Sequence, residues 1–170
     1  MIMLLKNKFK LSIISFTAIF SLISCDNSFV YDQYEQVNGT WNVNQPFTFE
    51  YEAIDTVNPY DYFINLRVNK DFPYNNLFLI VETEFPSQQI TIDTIQYQMA
   101  EPDGKLLGKG FSDTKESKLW FRENTAFSEK GLHKFKISQA VRELGKVDGV
   151  KELKGVTEVG FRIEKKNDDE

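Results

Sequence analysis

Hydrophobic and polar residues alternate with a two-residue period along much of the chain. The alternation is clearest over residues 47–52, 64–68 and 159–163. Such a period predicts strands that bury one face in a core and leave the other face in water. Residues 77–81 are apolar at every position, which predicts a central strand covered on both faces.

Two further patterns predict how the strands are interrupted and joined. Over residues 90–99 the phase of the alternation slips, and this predicts a β-bulge near Asp93-Thr94. The tripeptide Pro102-Asp103-Gly104 is typical of a tight turn, because proline presets φ, aspartate caps the turn and glycine accepts a positive φ. We expect this turn to join a strand that ends near Met99 to one that begins near Lys105.

One stretch breaks the two-residue period. Apolar residues at 137, 140, 141 and 144 follow helical spacing, and Gly145 comes directly after them, so the sequence predicts one short helix near 137–144. About eight strands and one helix predict a mainly β protein with a single antiparallel β-sandwich. Jelly-roll and immunoglobulin-like arrangements both fit this pattern. The predicted domain covers residues 37–164, followed by a disordered acidic tail at 165–170.

The first residues of the chain carry the pattern of a secretory signal. Three lysines precede a 13-residue apolar run from Leu11 to Ile23, and Ser24 then precedes Cys25, the single cysteine. Because a membrane-spanning helix needs about 20 apolar residues, the run is too short to cross the bilayer readily as a transmembrane helix. Leu22-Ile23-Ser24-Cys25 resembles the lipobox of bacterial lipoproteins. The resemblance implies cleavage of residues 1–24, acylation of Cys25 by chains such as palmitate, and a tether over residues 25–36.

Composition limits the possible partners. Removal of residues 1–24 leaves 146 residues, with 17 basic and 25 acidic side chains and a formal net charge of −8. This charge argues against a surface for nucleic acid or for anionic lipid. Aromatic residues make up 14% of the chain, which is typical of a folded domain.

The candidates for catalysis are few. His133 is the single histidine and lies in phase with Phe135 and Ile137, so a half-buried strand position is expected, with no second His or Cys to complete a zinc site. Four carboxylates could cut a glycosidic bond or hold calcium if they met, but their spacing does not place any two together. They are Glu101, Asp103, Asp113 and Glu116. We therefore predict no catalytic residue, no metal site and no cofactor.

Aromatic residues are the remaining candidates for binding. Trp41 and Trp120 could stack on sugars or pack in the core. Phe72 and Tyr74 lie in the polar connection 69–76, where they either form an apolar contact for a partner or tuck under the connection. Phe72, Tyr74 and Trp120 form the predicted partner-contact set.

Several segments of the chain resemble the gliding-motility lipoprotein GldH family of Bacteroidetes. They are residues 61–67, 72–79, 99–105, 108–113 and 155–164. The resemblance implies a non-enzymatic envelope lipoprotein that is needed for gliding, in a machinery linked to type IX secretion. Cys25 is the one functional residue that the family pattern transfers to this chain.

The first functional hypothesis is a scaffold, bound to the bilayer through acylated Cys25, that binds other envelope proteins of the motility and secretion apparatus. The alternatives are a carbohydrate-binding lipoprotein that uses Trp120 and the Phe72/Tyr74 connection, and a carboxylate enzyme. The predicted location is the cell envelope, with the outer membrane favoured over the inner membrane. Asp55-Thr56-Val57 and Asp93-Thr94-Ile95 also resemble the acceptor pattern for O-glycans in Bacteroidetes.

Overall fold

Ten β-strands make up the regular structure of the computed structural model, which describes residues 29–110 and 113–166. In chain order they are β1 (Phe29–Gln36), β2 (Thr40–Asn42), β3 (Phe47–Ala53), β4 (Tyr60–Val68), β5 (Asn76–Glu84), β6 (Ile90–Gln98), β7 (Lys115–Thr125), β8 (Gly131–Gln139), β9 (Glu152–Lys154) and β10 (Val156–Lys165).

The strands form three antiparallel sheets. The front sheet has the order β1-β10-β4-β7 and the back sheet has the order β3-β8-β5-β6, while β2 and β9 form a two-stranded ribbon. The prediction of a mainly β, antiparallel protein is confirmed.

The front and back sheets face each other across an aromatic core. Phe161 of the front sheet stacks on Phe135 of the back sheet, with ring centroids 4.4 Å apart, and on Phe49 at 5.9 Å. Tyr62 of the front sheet lies 6.0 Å from Phe135. The alternating phenylalanines and tyrosines therefore meet in one core, as the two-residue period requires.

The predicted helix near 137–144 is wrong. β8 runs through Gln139, and its residues pair with β5, for example Ile137 with Val81. The inward positions of β8 continue to Val141, which is buried, whereas Leu144 is fully exposed. An eight-residue helix is only marginally stable, so the hydrogen bonds offered by β5 decide the outcome. Gly145 does adopt a positive φ of 80°, but it closes a turn and not a helix.

The predicted bulge near Asp93-Thr94 is also wrong. β6 pairs with β5 in an unbroken register from Ile90 to Gln98. The phase slips because Ile90 and Ile92 lie on the outer face of the back sheet, where they are exposed. The strand is regular, and only its pattern of apolar residues changes face.

The Pro102-Asp103-Gly104 turn is confirmed. Gly104 has a φ of 85° and its N–H donates to Glu101 O at 2.9 Å. The strand predicted to begin near Lys105 is not found, because the turn is flanked by an isolated bridge between Ala100 and Leu106 and β7 begins at Lys115. The central position of β5 is confirmed, because it lies between β8 and β6. Full burial on both faces is found in β4 and not in β5. Every residue of β4 from Tyr62 to Leu66 is buried.

The ordered domain extends beyond its predicted limits at 37 and 164. β1 begins at Phe29, inside the stretch predicted as a tether, because its backbone pairs with the length of β10. β10 continues to Lys165, which pairs with Tyr60. Residues 1–28, with the predicted signal and Cys25, and residues 167–170 lie outside the described residues. Across residues 29–110 and 113–166, no helix is long and apolar enough to cross a bilayer.

Candidate functional site

The structure separates the three residues of the predicted partner-contact set. Phe72 is buried, Tyr74 is half-buried and Trp120 is 51% exposed. Trp120 lies within β7, whereas Phe72 and Tyr74 lie in the connection between β4 and β5. Of the two outcomes left open for the connection, the structure shows that Phe72 tucks under it. Within the predicted partner-contact set, Trp120 is the residue whose ring is exposed.

Phe72 and Tyr74 close one end of the core. Their rings meet edge to face at 6.1 Å. Gly155, which joins β9 to β10, has a φ of 81°, and a Cβ atom there would come within 2.5 Å of Phe72 Cα. Only glycine admits this approach of the two backbones. The close packing fixes the connection against the β9–β10 junction.

An open cleft of ≈ 630 Å³ lies beside Tyr74. The Tyr74 hydroxyl donates a long hydrogen bond of 3.4 Å to Glu143, which also pairs with Lys146. The other charged residues of the cleft are of both signs. They are Asp71, Asp148, Lys151, Glu152 and Lys154. This mixture gives the cleft no preference for a ligand of one charge.

Trp120 stands on the outer face of the front sheet. Its neighbour across the strands is Phe63, and the two ring centroids are 4.4 Å apart. The ammonium of Lys118 lies 3.9 Å from the centroid of the Phe63 ring. We call this outer face, with Trp120, Phe63, Lys118 and the charged residues described next, the Trp120 face.

Ion pairs connect the strands of the Trp120 face. Arg162 on β10 pairs with Asp32 on β1 at 2.6 Å and with Glu164 at 3.2 Å, and Lys118 on β7 reaches Glu164 at 2.7 Å. A second group centres on Arg67, which pairs with Glu116 at 2.9 Å and with Glu158. These pairs hold a mixed-charge surface around the aromatic rings.

Tyr34 ties the second group to the sheet. Its ring lies over Gly160, where a Cβ atom would come within 2.7 Å of the ring. The Tyr34 hydroxyl donates to Glu116 at 3.0 Å and accepts from Asn65 Nδ2 at 2.9 Å. Burial, followed by the negative charge of Glu116, raises the pKa of Tyr34 to about 12. The hydroxyl therefore stays neutral and keeps its role as a donor.

The network on this face was missed by sequence reasoning. The sequence of β10 does indicate a charged outer face, because Glu158, Arg162 and Glu164 alternate with the buried apolar residues of the strand. The partners of these charges lie on β1, β4 and β7, from 46 to 130 residues away along the chain. Without the strand order, these charges cannot be distinguished from the ordinary charged residues of a solvent-exposed strand face.

The other candidates from the sequence do not assemble into a site. Trp41 is fully buried, and its Nε1 donates to Gln45 O at 2.7 Å, so it packs in the core. Glu116 is held by Arg67 and Asp103 accepts from the N–H of Lys105 in the hairpin turn. Within the described ranges, no group of three or more His, Cys, Asp or Glu side chains could hold a metal ion.

His133 is buried on β8 and lines a cavity of ≈ 330 Å³ between the sheets. Its Nδ1 lies 3.0 Å from Gly131 O, and because a carbonyl oxygen can only accept, Nδ1 is the donor in this contact. Phe127 and Phe85 pack edge to face on the imidazole at 4.9 and 5.6 Å. No Asp or Glu lies among the described residues that line the cavity, so no carboxylate there orients the imidazole for acid–base chemistry.

Modification is expected at Thr94, not at Thr56. Thr94 is exposed on the outer face of β6, whereas Thr56 is half-buried in a turn whose Asp55 side chain accepts from the N–H of Val57. Mass spectrometry of peptides from the native protein should find an O-glycan on Thr94. An unmodified Thr94 peptide would contradict the acceptor pattern.

Comparison with known proteins gives a consistent result. The model of the GldH lipoprotein family matches residues 29–163. The gliding motility lipoprotein GldH homolog of Christiangramia forsetii is 50% identical over 153 residues, which cover 88% of this chain and 94% of the relative. The gliding motility lipoprotein GldH of Flavobacterium johnsoniae is 50% identical over 146 residues, which cover 86% of this chain and 91% of the relative.

Solved structures are more distant. A family GH115 4-O-methyl-α-glucuronidase with specificity for decorated arabinogalactans matches with a TM-score of 0.43 and 10% sequence identity. The match covers 86% of this chain and 19% of that protein. A likeness this low carries no argument about fold or function.

Proposed function

The chain belongs to the GldH lipoprotein family, and from that membership we propose that it is a non-enzymatic component of the gliding-motility machinery linked to type IX secretion. In this proposal the protein acts by binding other envelope proteins. Glu116 is paired with Arg67, and Asp103 accepts a hydrogen bond within its own turn. These structural roles support a binding function over a catalytic one.

The proposed anchor is acylated Cys25. Triacylation of Cys25 would supply three acyl chains, and two are enough for stable membrane anchoring. We place the anchor in the cell envelope, in the outer membrane in preference to the inner membrane. The chain then presents its sheets to partners that move or assemble along the same membrane.

The exposed ring of Trp120 is the observation on which the proposed partner contact rests. Tryptophan is enriched among residues that dominate binding energy at protein interfaces. Trp120 is supported from beneath by Phe63, and charges of both signs surround it. An aromatic anchor within a rim of charges suits a protein surface with an apolar pocket and complementary charges.

We infer that the scaffold for this contact is a jelly roll. When the short β2 and β9 are left out, eight strands remain. Counted in chain order, the first of these eight pairs with the last, the second with the seventh, the third with the sixth and the fourth with the fifth. These pairs are β1–β10, β3–β8, β4–β7 and β5–β6. A chain folded back on itself in this order gives the two Greek keys of a jelly roll, and the order differs from that of an immunoglobulin domain.

Replacing Trp120 with alanine should weaken partner binding by about tenfold or more, because truncated hot-spot residues lose at least that much affinity. The measurement is co-purification of envelope proteins after mild crosslinking of native membranes, combined with a gliding assay. The variant should fold normally, because its ring is exposed.

The matched control is Ile92→Ala, which removes an exposed apolar side chain from the outer face of the back sheet. This control should keep its partners and its gliding. Loss of partners in Ile92→Ala, with normal binding in Trp120→Ala, would move the interface to the opposite sheet and contradict the proposal.

A further inference from the structure

One end of the two sheets carries a group of exposed apolar side chains. Ile54 and Val57 lie in the connection between β3 and β4, where they are 75% and 83% exposed. Phe29 at the start of β1 and Leu132 near the start of β8 are each 40% exposed. We call these four residues the apolar tip.

Strand pairing brings the residues of the tip to the same end. Ala53, the residue before Ile54, pairs with Gly131, the residue before Leu132. β1 packs over β3 through Tyr31 and Tyr51, whose ring centroids are 5.7 Å apart. The start of β1, the end of β3 and the start of β8 therefore adjoin one another.

The polar side chains of the β3–β4 connection form hydrogen bonds within the connection. The Asp55 carboxylate accepts from the backbone N–H of Val57 at 2.8 Å and from Asn58 Nδ2 at 2.6 Å. The Tyr60 hydroxyl also donates to this carboxylate, at 3.2 Å. With the carboxylate satisfied, the connection presents the side chains of Ile54 and Val57 to its surroundings.

The tip lies at the end of the domain where the anchor is expected. Three residues separate Cys25 from Phe29, and four fully extended residue steps span at most about 14 Å. If Cys25 is acylated, Phe29 must therefore stay within that distance of the membrane surface. Lys130, Lys165 and Lys166 are exposed around the same end, beside exposed Glu52 and Glu123. Although the chain as a whole is acidic, these lysines can approach lipid phosphates.

We propose that the apolar tip inserts into the lipid bilayer, so that the anchored domain stands on the membrane with its strands rising from it. The proposal rests on the acylation of Cys25 proposed above. The acyl chains hold the protein to the bilayer and the tip sets its orientation, because apolar side chains flanked by lysines partition into the interface. The Trp120 face then stands upright, open to partners along the membrane plane.

The test uses the full lipoprotein in vesicles of phosphatidylethanolamine and phosphatidylglycerol. Because Cys25 is the single cysteine and is acylated, Val57→Cys supplies the one free thiol for an environment-sensitive nitrobenzoxadiazole dye. The emission should shift to shorter wavelength and be quenched by phosphatidylcholine that carries a doxyl group on its acyl chain.

The matched control is Val147→Cys, in the connection after β8 at the opposite end of the strands, where Val147 is 90% exposed. The dye at this position should show neither the shift nor the quenching. Equal signals from the two positions would overturn the proposal. Flotation of the vesicles tests the anchor separately, so a failed anchor is distinguished from a tip that does not insert.

A second variant separates docking from folding. Ile54→Asp, combined with Val57→Cys, should lose the quenching while flotation and the melting temperature stay unchanged. The fold should tolerate this change because the side chain of Ile54 is exposed to solvent and lies outside the core. Unchanged quenching in this variant would contradict the docking. An O-glycan on Thr56 of the native protein would contradict it as well, since a sugar there would hold the tip out of the bilayer.

Discussion

Replacing Phe72 with alanine should lower the free energy of unfolding by about 3–5 kcal/mol, as expected for a buried aromatic side chain. Phe72 is 5% exposed and packs on Tyr74, and its backbone adjoins Gly155. The cavity left by the ring cannot collapse easily, because that approach is already as close as the two backbones allow. Urea denaturation followed by tryptophan fluorescence measures the loss, since fully buried Trp41 reports on the core.

Trp120→Ala is the control for this measurement. Among the aromatic contacts of the described residues, its exposed ring packs at a tilt on Phe63 alone, so its removal should cost about 1 kcal/mol. A Phe72 variant as stable as the Trp120 variant would show that the connection 69–76 contributes little to the core. It would also restore Phe72 to the partner-contact set.

The two variants assign separate roles to residues that the sequence places in one set. Phe72 is expected to stabilise the fold, and Trp120 is expected to bind a partner. If Phe72→Ala also reduced gliding, the cause would be loss of folded protein, and the amount of protein in the membrane fraction would fall with it. If Trp120→Ala reduced gliding, the amount of protein would stay constant.

Local sequence patterns predicted the strands well. A two-residue period identifies β3 and β10, because each of these strands turns its alternate apolar residues into the core. It identifies β4 as well, since Ile64, Leu66 and Val68 alternate with more polar residues, although the other face of β4 is also covered. The turn at Pro102-Asp103-Gly104 is equally local, since three adjacent residues determine its backbone conformation. Where the necessary information lies within a few neighbouring residues, the prediction and the structure agree.

The errors arise where distant residues decide the structure. The spacing of Ile137 and Val141 fits a helix turn as well as it fits alternate positions of a strand and its continuation. The choice depends on β5, which lies about 60 residues earlier and supplies hydrogen bonds to β8. The predicted bulge near Asp93-Thr94 fails for the same reason, because nothing in β6 itself shows that the face carrying Ile90 and Ile92 is open to solvent.

The candidate site has the same origin. The outward position of Trp120 is shown by the structure alone, because Leu119, Trp120 and Phe121 are apolar at consecutive positions and leave the choice of face open. Its surroundings do not follow from the sequence, because Phe63, Arg162 and Asp32 come from three other strands whose order must be known first. Trp120 could thus be named as a candidate, while the ion-paired face around it could not.

Cys25→Ser should remove the membrane anchor completely, the largest functional effect expected from a single substitution. Serine lacks the thiol that the lipobox pattern requires for acylation, so intact-mass analysis of detergent-extracted protein should find no acyl mass. The mature protein should move from the detergent phase to the aqueous phase on partitioning, because a domain with one apolar tip binds a bilayer far more weakly than three acyl chains do.

Ser24→Ala is the matched control for the anchor, because it keeps a small residue before the cysteine and should leave acylation intact. Gliding should fail in Cys25→Ser and persist in Ser24→Ala if the domain must stand on the membrane to meet its partners. A wild-type protein with an unmodified mass, or with a mature N-terminus other than Cys25, would contradict the anchor and, with it, the insertion of the apolar tip. If Cys25→Ser lacked acyl chains but still supported gliding, the anchor would be real and the need for membrane attachment would be refuted.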